Sequence, residues 1–361
     1  ATLVVDLGRK RLDSSNDRLR RQCGQIAQAL ARVVEGTVLP AAERVKAGVQ
    51  LGTIGDPRPG VCDLTHIPWV AFEQAPVVLG SSEAEADEAG NAYEHYYLEQ
   101  GNAETAKRAR TWPRDEINQQ SVLVVPFELA RYPVTNAQWA AFMAADGYNP
   151  TQTWWDEAAR TWLARDDAAT PNLQTYQQRT YKDRPEWWHL ERYGRDRPNH
   201  PVVGVSWYEA MAFCRWLTDY LRDSFTYLLP NELEWEYACR GNERRTYAWG
   251  DQELDGERAN FNNLYAGTSA VGCFPTGATP TTGLLDMTGT VWEWTRSEYR
   301  DYPYDPDDGR EDETDSSKKR FTLRGGGCRN QPINLRASNR DNLTPDIRTL
   351  NVGLRLARHK K

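Results

Sequence analysis

Six cysteines and five histidines are the residues of this chain that could carry redox or metal chemistry. Cys23, Cys62, Cys214, Cys239, Cys273 and Cys328 are widely spaced, with no CxxC pair of the kind that zinc sites and thiol redox centres use. His66, His95, His189, His200 and His359 form no HxxxH or HxE cluster. The acidic run from Asp301 to Asp315 has no calcium-loop spacing and reads as a solvated loop. Such cysteine usage predicts that most of the thiols are reduced and buried, and a cytoplasmic setting.

Chemistry of another kind is concentrated in the last stretch, FTLRGGGCRNQPINLRASNRDNLTPDIRTLNVGLR, from Phe321 to Arg355. FTLRGG reads as a strand entering a glycine turn, and NVGLRLA as a strand that closes the fold. Between them the chain is dense in Asn, Arg, Pro and Asp, the residues of turns, yet it holds Ile333, Leu343, Ile347 and Leu350. One reading is a surface built to touch something. The other is a structural loop whose aliphatics tuck back onto the domain.

The elements that must position this stretch follow from periodicity and punctuation. At 361 residues the chain is expected to be one large domain with an appendage. Leu19, Cys23, Ile26, Leu30 and Val33 recur at helical steps, and Val45, Val49 and Leu51 continue a second helix until GDPRPG at 55–60 stops it. We therefore expect a helical segment and linker over 1–60 and the main domain over 61–361. IPWVAFE and APVVLGS read as short strands, 81–120 as a partly helical insertion, and SVLVVPFELARYPVT as a strand pair. Thr135 with Gln138, Ser206 with Glu209 and Asn231 with Glu234 have capping-box spacing and predict three helix starts. Trp154, Trp155, Trp187 and Trp188 are read as packing across an irregular loop. A net charge of -7 and pI near 5.5 argue against a nucleic-acid partner, and no apolar run approaches a membrane span.

Seven ordered segments resemble the sulfatase-modifying-factor family, that of the formylglycine-generating enzyme. They are RYPVTNAQWAAF (131–142), HPVVGVSWYEAMAFCRWL (200–217), LLPNELEWEYACRG (228–241), YAWGD (247–251), GLLDMTGTVWEWT (283–295), LRGGG (323–327) and VGLRLAR (352–358). The resemblance implies an α+β, loop-rich, C-type-lectin-like fold. It also implies tests of activity. Formylglycine generation in that family resembles copper chemistry at a cysteine pair just after the RGGS motif, thiolates being soft ligands for Cu(I). Here RGGG runs directly into Cys328, and Arg329 to Thr344 contain no second cysteine. The iron-dependent sulfur-inserting branch needs three imidazoles around one metal, which the five scattered histidines do not offer.

The final stretch itself resembles the variable region of proteins diversified by a retroelement, in which Asn codons are mutated at adenines. Arg324–Gly326, Asn334–Arg340, Pro345, Asp346, Arg348 and Asn351–Arg355 match its fixed parts. Cys328, Arg329, Ile333, Asp341, Leu343, Thr344, Ile347, Thr349 and Leu350 stand at the positions between, and all nine can be reached from an Asn codon by changing its first two bases. Gln331 cannot. The resemblance implies a non-enzymatic binding protein whose variable region, about 324–355, contacts varied targets, protein more than sugar, with the four aliphatics as exposed contacts. Arg336, Asn339, Arg340 and Arg355 are then expected to hold loop carbonyls and the carboxylates of GLLDMTGTVWEW. Family members also bind calcium around the motif here spanning Gly289 to Trp294, which makes Glu293 and the carbonyls of Gly289 and Val291 a candidate structural site. Thr290 replaces the usual Asn there, and Glu293 as a buried hydrogen-bond acceptor is the equal alternative. No cofactor is otherwise expected. A monomer is expected, and an upstream domain fused through the 19–52 helices is compatible with this reading.

Overall fold

The computed structural model describes residues 17–171, 173–174 and 177–361; the first sixteen residues of the expected 1–60 segment lie outside the described residues. Helix α1 (Asp17–Glu35) is followed by α2 (Ala41–Ile54). The buried side of α1 is Ala27, Ala31 and Val34, while Leu19 is exposed and Cys23, Ile26, Leu30 and Val33 are half-buried. The packed face therefore lies one position beyond the predicted stripe. Small side chains let these helices sit close to the residues around Ala270: a Cβ on Gly48 of α2 would fall 2.8 Å from the Ala270 Cβ. Buried Arg44 fastens α2 by donating to the Cys273 and Leu39 carbonyls at 2.8 and 2.6 Å.

Short strands and helices then alternate irregularly. Strands β1 (Trp69–Phe72) and β2 (Ala75–Val78) lead into α3 (Glu83–Glu99) and α4 (Ala103–Ala109), the two helices of the 81–120 segment. Strands β3 (Ser121–Val124) and β4 (Phe127–Ala130) precede α5 (Asn136–Ala144) and α6 (Glu157–Ala164). Next come α7 (Trp207–Leu221), β5 (Phe225–Leu228) and α8 (Glu232–Arg240). The chain ends in β6 (Trp292–Glu298), β7 (Phe321–Arg324), β8 (Asp341–Leu343), β9 (Val352–Leu354) and β10 (Ala357–Lys360). One sheet has the order β1-β4-β10-β5, a second joins β2 to β3, and a third has the order β8-β7-β6-β9.

The three predicted capping boxes close reciprocally at α5, α7 and α8, and a fourth, Ser82 with Glu85, opens α3. Helix α7 is buried almost all round over its first three turns, so its predicted one-sided stripe understates its packing. Its Trp207 stacks on Phe321 of β7 with centroids 3.8 Å apart, and its Phe213 stacks on Trp139 of α5 at 5.0 Å. Trp155 and Trp188 are buried and Trp154 half-buried, with the Trp154 and Trp155 indoles donating to the Gly147 carbonyl at 3.0 and 2.9 Å. These tryptophans pack an irregular loop, as read from sequence. The acidic stretch 301–315 is mostly exposed but pinned by buried Tyr304 and Arg310, whose guanidinium lies 4.4 Å from the tyrosine ring centroid.

In the third sheet, antiparallel pairing sets Glu293 of β6 opposite Arg324 of β7 and Leu323 opposite Asp341 of β8, while parallel pairing sets Glu293 beside Gly353 of β9. The whole segment from Phe321 to Leu354 is thus threaded through one sheet. Its loops emerge between β7 and β8 and between β8 and β9.

Candidate ligand-binding surface

Five arginines of the C-terminal stretch are buried or nearly so, and each meets a glutamate. Arg324 donates to Glu236 of α8 and, through Nη1, to the Ser338 and Asn339 carbonyls at 2.8 and 2.7 Å. Arg336 forms a fork with Glu116, both bonds 2.7 Å long. Arg340 forks onto Glu232 at 2.7 and 3.0 Å and lies over the rings of Tyr299 and Tyr302. Arg348 forks onto Glu209 at 2.8 and 2.6 Å, the glutamate that also caps α7. Arg355 reaches Glu293 and the carbonyls of Ala130 and Leu285. Planar guanidinium–carboxylate forks fix orientation as well as position.

The expectation that Arg336 and Arg340 would hold the GLLDMTGTVWEW carboxylates is corrected here. Only Arg355 does so. Arg340 faces α8 and Arg336 faces the insertion, because the 3-10 turn Pro332–Leu335 carries the chain away from β6 before β8 returns to β7. Asn339 serves the frame as predicted, donating to the Asn334 carbonyl at 2.9 Å. Electrostatics agree with this reading. Burial works to raise the Glu116 carboxyl, but Arg336 beside it holds it below its ordinary value. For Glu232 the same burial is overcome by Arg340 and Arg324.

The nine positions between these anchors fall into three groups. Arg329 and Asp341 are exposed, on the turn after the glycines and at the start of β8. Ile333, Leu343, Thr344, Thr349 and Leu350 are half-buried; Thr344 donates to Asp346 at 2.7 Å and Thr349 to Asn351 at 3.1 Å. Cys328 and Ile347 are buried. Ile347 departs from the exposure expected of the four aliphatics, whereas Cys328 is buried as expected of most of the cysteines. Cys328 is drawn in because its N–H donates to Thr290 and its carbonyl accepts from Asn263 at 2.9 and 2.7 Å, which pins the turn against the domain. Ile347 lies between the fixed anchors Pro345, whose carbonyl accepts from Trp207 of α7, and Arg348. Cavities divide the rest: Ile333 lines one of about 390 Å³, Asp341 one of about 570 Å³, and Thr344 another of about 390 Å³ beside Trp162.

Sequence reasoning missed the partner of this stretch. The 81–120 segment packs on it directly: the Tyr93 hydroxyl accepts from Asn334 at 2.8 Å, Glu116 holds Arg336, and the Asp115 carbonyl accepts from Arg340 at 3.0 Å. Trp112 and Tyr299 line the cavity that Asp341 shares. The SSEAE capping box at 81–85 was the signal that an ordered helix begins there.

The set around Glu293 does not fit a calcium ion. Both carboxylate oxygens accept from the Arg355 Nε at 3.0 and 3.1 Å, and Oε2 also accepts from the Trp235 indole at 2.6 Å. The Gly289 carbonyl accepts from the Val291 N–H at 2.8 Å. A cation there would displace or face the buried Arg355 guanidinium that already occupies both carboxylate oxygens. Cys328 is equally unsuited to Cu(I). Burial pushes its thiol up to about 12, away from the thiolate a soft metal needs, and no other cysteine follows it in the chain. Among the described residues there is no group of three or more His, Cys, Asp or Glu placed to hold a metal ion.

Fold and site together define an irregular α+β domain whose last strands are locked by buried arginine–glutamate pairs. The chain belongs to the family of sulfatase-modifying factor enzyme 1-like domains, whose model matches residues 80–360. It is 36% identical over 213 residues to the formylglycine-generating enzyme of Mycobacterium tuberculosis, covering 51% of this chain and 67% of the relative. It is 33% identical over 247 residues to hercynine oxygenase of the same organism, covering 65% of this chain and 53% of that one. The chain thus spans about half of the hercynine oxygenase. Among solved structures, PvdO from Pseudomonas aeruginosa aligns with a TM-score of 0.54 at 22% identity, over 84% of this chain and 99% of that one, a likeness of fold. Treponema denticola variable protein 1 aligns with a TM-score of 0.49 at 18% identity, over 80% and 94% of the two chains.

Proposed function

We propose that this chain is a ligand-binding protein that performs no chemistry on its target, and that its segment 324–355 is diversified by retroelement mutagenesis to meet varied targets, proteins foremost. The observation that carries the reading is an alternation within one segment. Arginines fixed by glutamates on α7, α8, β6 and the insertion alternate with nine positions whose residues are all reachable from an Asn codon by changes at two bases. A frame held at that many points tolerates substitution between the points, which is how binding loops work on a rigid scaffold. Seven of the nine positions, all but Cys328 and Ile347, retain some exposure and so can touch a partner.

The experiment is to sequence the DNA around the gene. A reverse transcriptase gene and a near-copy of the 324–355 coding stretch, differing only at adenines, supports the reading; neither within the surrounding cluster overturns it. A divergent copper-dependent oxidoreductase is the rival, favoured by the 36% identity to a formylglycine-generating enzyme. Copper- and oxygen-dependent turnover of a cysteine peptide, lost in Cys328→Ser, would reverse the ranking.

A further inference from the structure

The cavity of about 390 Å³ between α3 and the Pro332–Leu335 turn has an uneven wall. Ala89, Ala92, Pro332, Ile333 and the rings of Tyr96 and Tyr247 supply apolar surface. Its arginines are already neutralised: Arg240 by Glu85 and Glu236, Arg336 by Glu116. Glu88 differs. It is exposed on α3 at the cavity wall, and its carboxylate has no hydrogen-bond or ion-pair partner among the described residues.

We propose that this cavity receives a lysine or arginine side chain of the partner. The aliphatic stem of such a residue lies along Ala89, Ala92 and Ile333, as long basic side chains cover apolar surface while keeping the charge near water. Its cation meets the Glu88 carboxylate and the tyrosine rings, whose negative faces attract cations. An acidic side chain would be repelled by Glu88, and a purely apolar one would leave that carboxylate desolvated and unpaired. The volume lies within the range of about 300–1,000 Å³ usual for small-ligand pockets. Glu88, Ala89, Ala92 and Tyr96 of this wall are on helix α3, outside the segment proposed to vary, so a preference for basic side chains would persist while Ile333 changes. The inference rests on reading 324–355 as a contact surface.

The test uses the full chain with its isoleucine methyl groups labelled, titrated with Nα-acetyl-lysine methylamide and with its norleucine and glutamate counterparts. The lysine probe should shift the Ile333 methyl signal saturably. The norleucine probe should bind about fivefold more weakly, the glutamate probe not at all, and Glu88→Gln should bring the lysine probe down to the norleucine level. Ala92→Trp, which fills the cavity from an exposed helix position, should abolish the shift. Equal binding of lysine and norleucine probes, indifference to Glu88→Gln, or no shift with any probe overturns the proposal. Loss of the lysine effect alongside an adenine-divergent template copy removes only the cavity assignment; a clear lysine effect with no such copy removes only the diversification reading.

Discussion

Arg355 Nη2 lies 2.9 Å from Glu293 Oε1, and the two side chains, 0% and 1% exposed, join the end of β9 to the middle of the third sheet. The carboxylate that sequence alone offered to calcium therefore holds the end of β9 instead. Removing one member of a buried pair strands the other charge, at about 3–5 kcal/mol. Glu293→Gln and Arg355→Met should each cost that much in denaturant melts, and Glu293→Leu combined with Arg355→Met should recover a large part of it. Added calcium should leave the melting temperature of the unaltered protein where chelator leaves it, since an ion bound only by the folded state would raise it. A calcium-dependent rise would overturn the assignment.

Thr290 has φ of 65°, and its hydroxyl is buried without a hydrogen-bond partner among the described residues. A β-branched residue is strained in the left-handed region, where Asn is far better tolerated. Thr290→Asn should therefore stabilise the fold by about 1 kcal/mol. Thr290→Val, which keeps the branch and loses the hydroxyl, should not reproduce the gain.

Buried Asp286 gives the stability a distinctive pH dependence. Burial raises its carboxyl to about 6, against which the Gly272 N–H, donating at 2.7 Å, works only partly. The unfolded carboxyl titrates near 3.9. Between about pH 4 and 6 the unfolded chain gives up a proton that the folded chain keeps, so stability falls across that window as pH rises. Asp286→Asn should flatten the fall and leave the variant more stable than the parent at pH 8 by on the order of 1–3 kcal/mol. Glu116 and Glu232 act with the opposite sign. Their folded values are depressed, so their contribution is present above about pH 4.3 and is lost as the solution is acidified below it. Melts of parent and Asp286→Asn from pH 3 to 8 separate the two effects.

The parts legible in the sequence were those set by local chemistry. Three capping boxes named helix starts because a hydroxyl or amide and a side chain three residues on satisfy each other's backbone donors. FTLRGG and NVGLRLA lay in β7 and β9 as read. What could not be read was pairing at a distance. Nothing in the spacing of Arg336 or Arg340 says that their glutamates are Glu116 and Glu232, since 220 and 108 residues separate the partners. The same limit hid the insertion's place against Asn334 and the hydrogen bonds that tie Cys328 to Thr290 and Asn263. Glu293 was ambiguous for a related reason: one carboxylate in a glycine-rich motif looks alike whether it faces a metal or an arginine.

The four aliphatics of the candidate surface now divide, and the division separates binding from folding. Ile347 is 6% exposed between the buried anchors Pro345 and Arg348, whereas Ile333, Leu343 and Leu350 are half-buried. Leu343 packs against the main cluster opposite Phe321, so it belongs partly to the core. Ile347→Ser should therefore cost about 2–5 kcal/mol, through lost burial and a polar group left in the core. Ile333→Ser and Leu350→Ser should stay near 1 kcal/mol or below, as partly exposed substitutions do, with Leu343→Ser between the two. Trp294→Ala, which truncates a fully buried member of that cluster, sets the upper reference at about 3–5 kcal/mol. If the surface binds a partner, Ile333→Ser should weaken that binding in a protein that melts almost as the parent does. Denaturant melts of the five variants give the order directly. An Ile333→Ser variant that unfolds as readily as Trp294→Ala would return this stretch to the core and remove it from the contact surface.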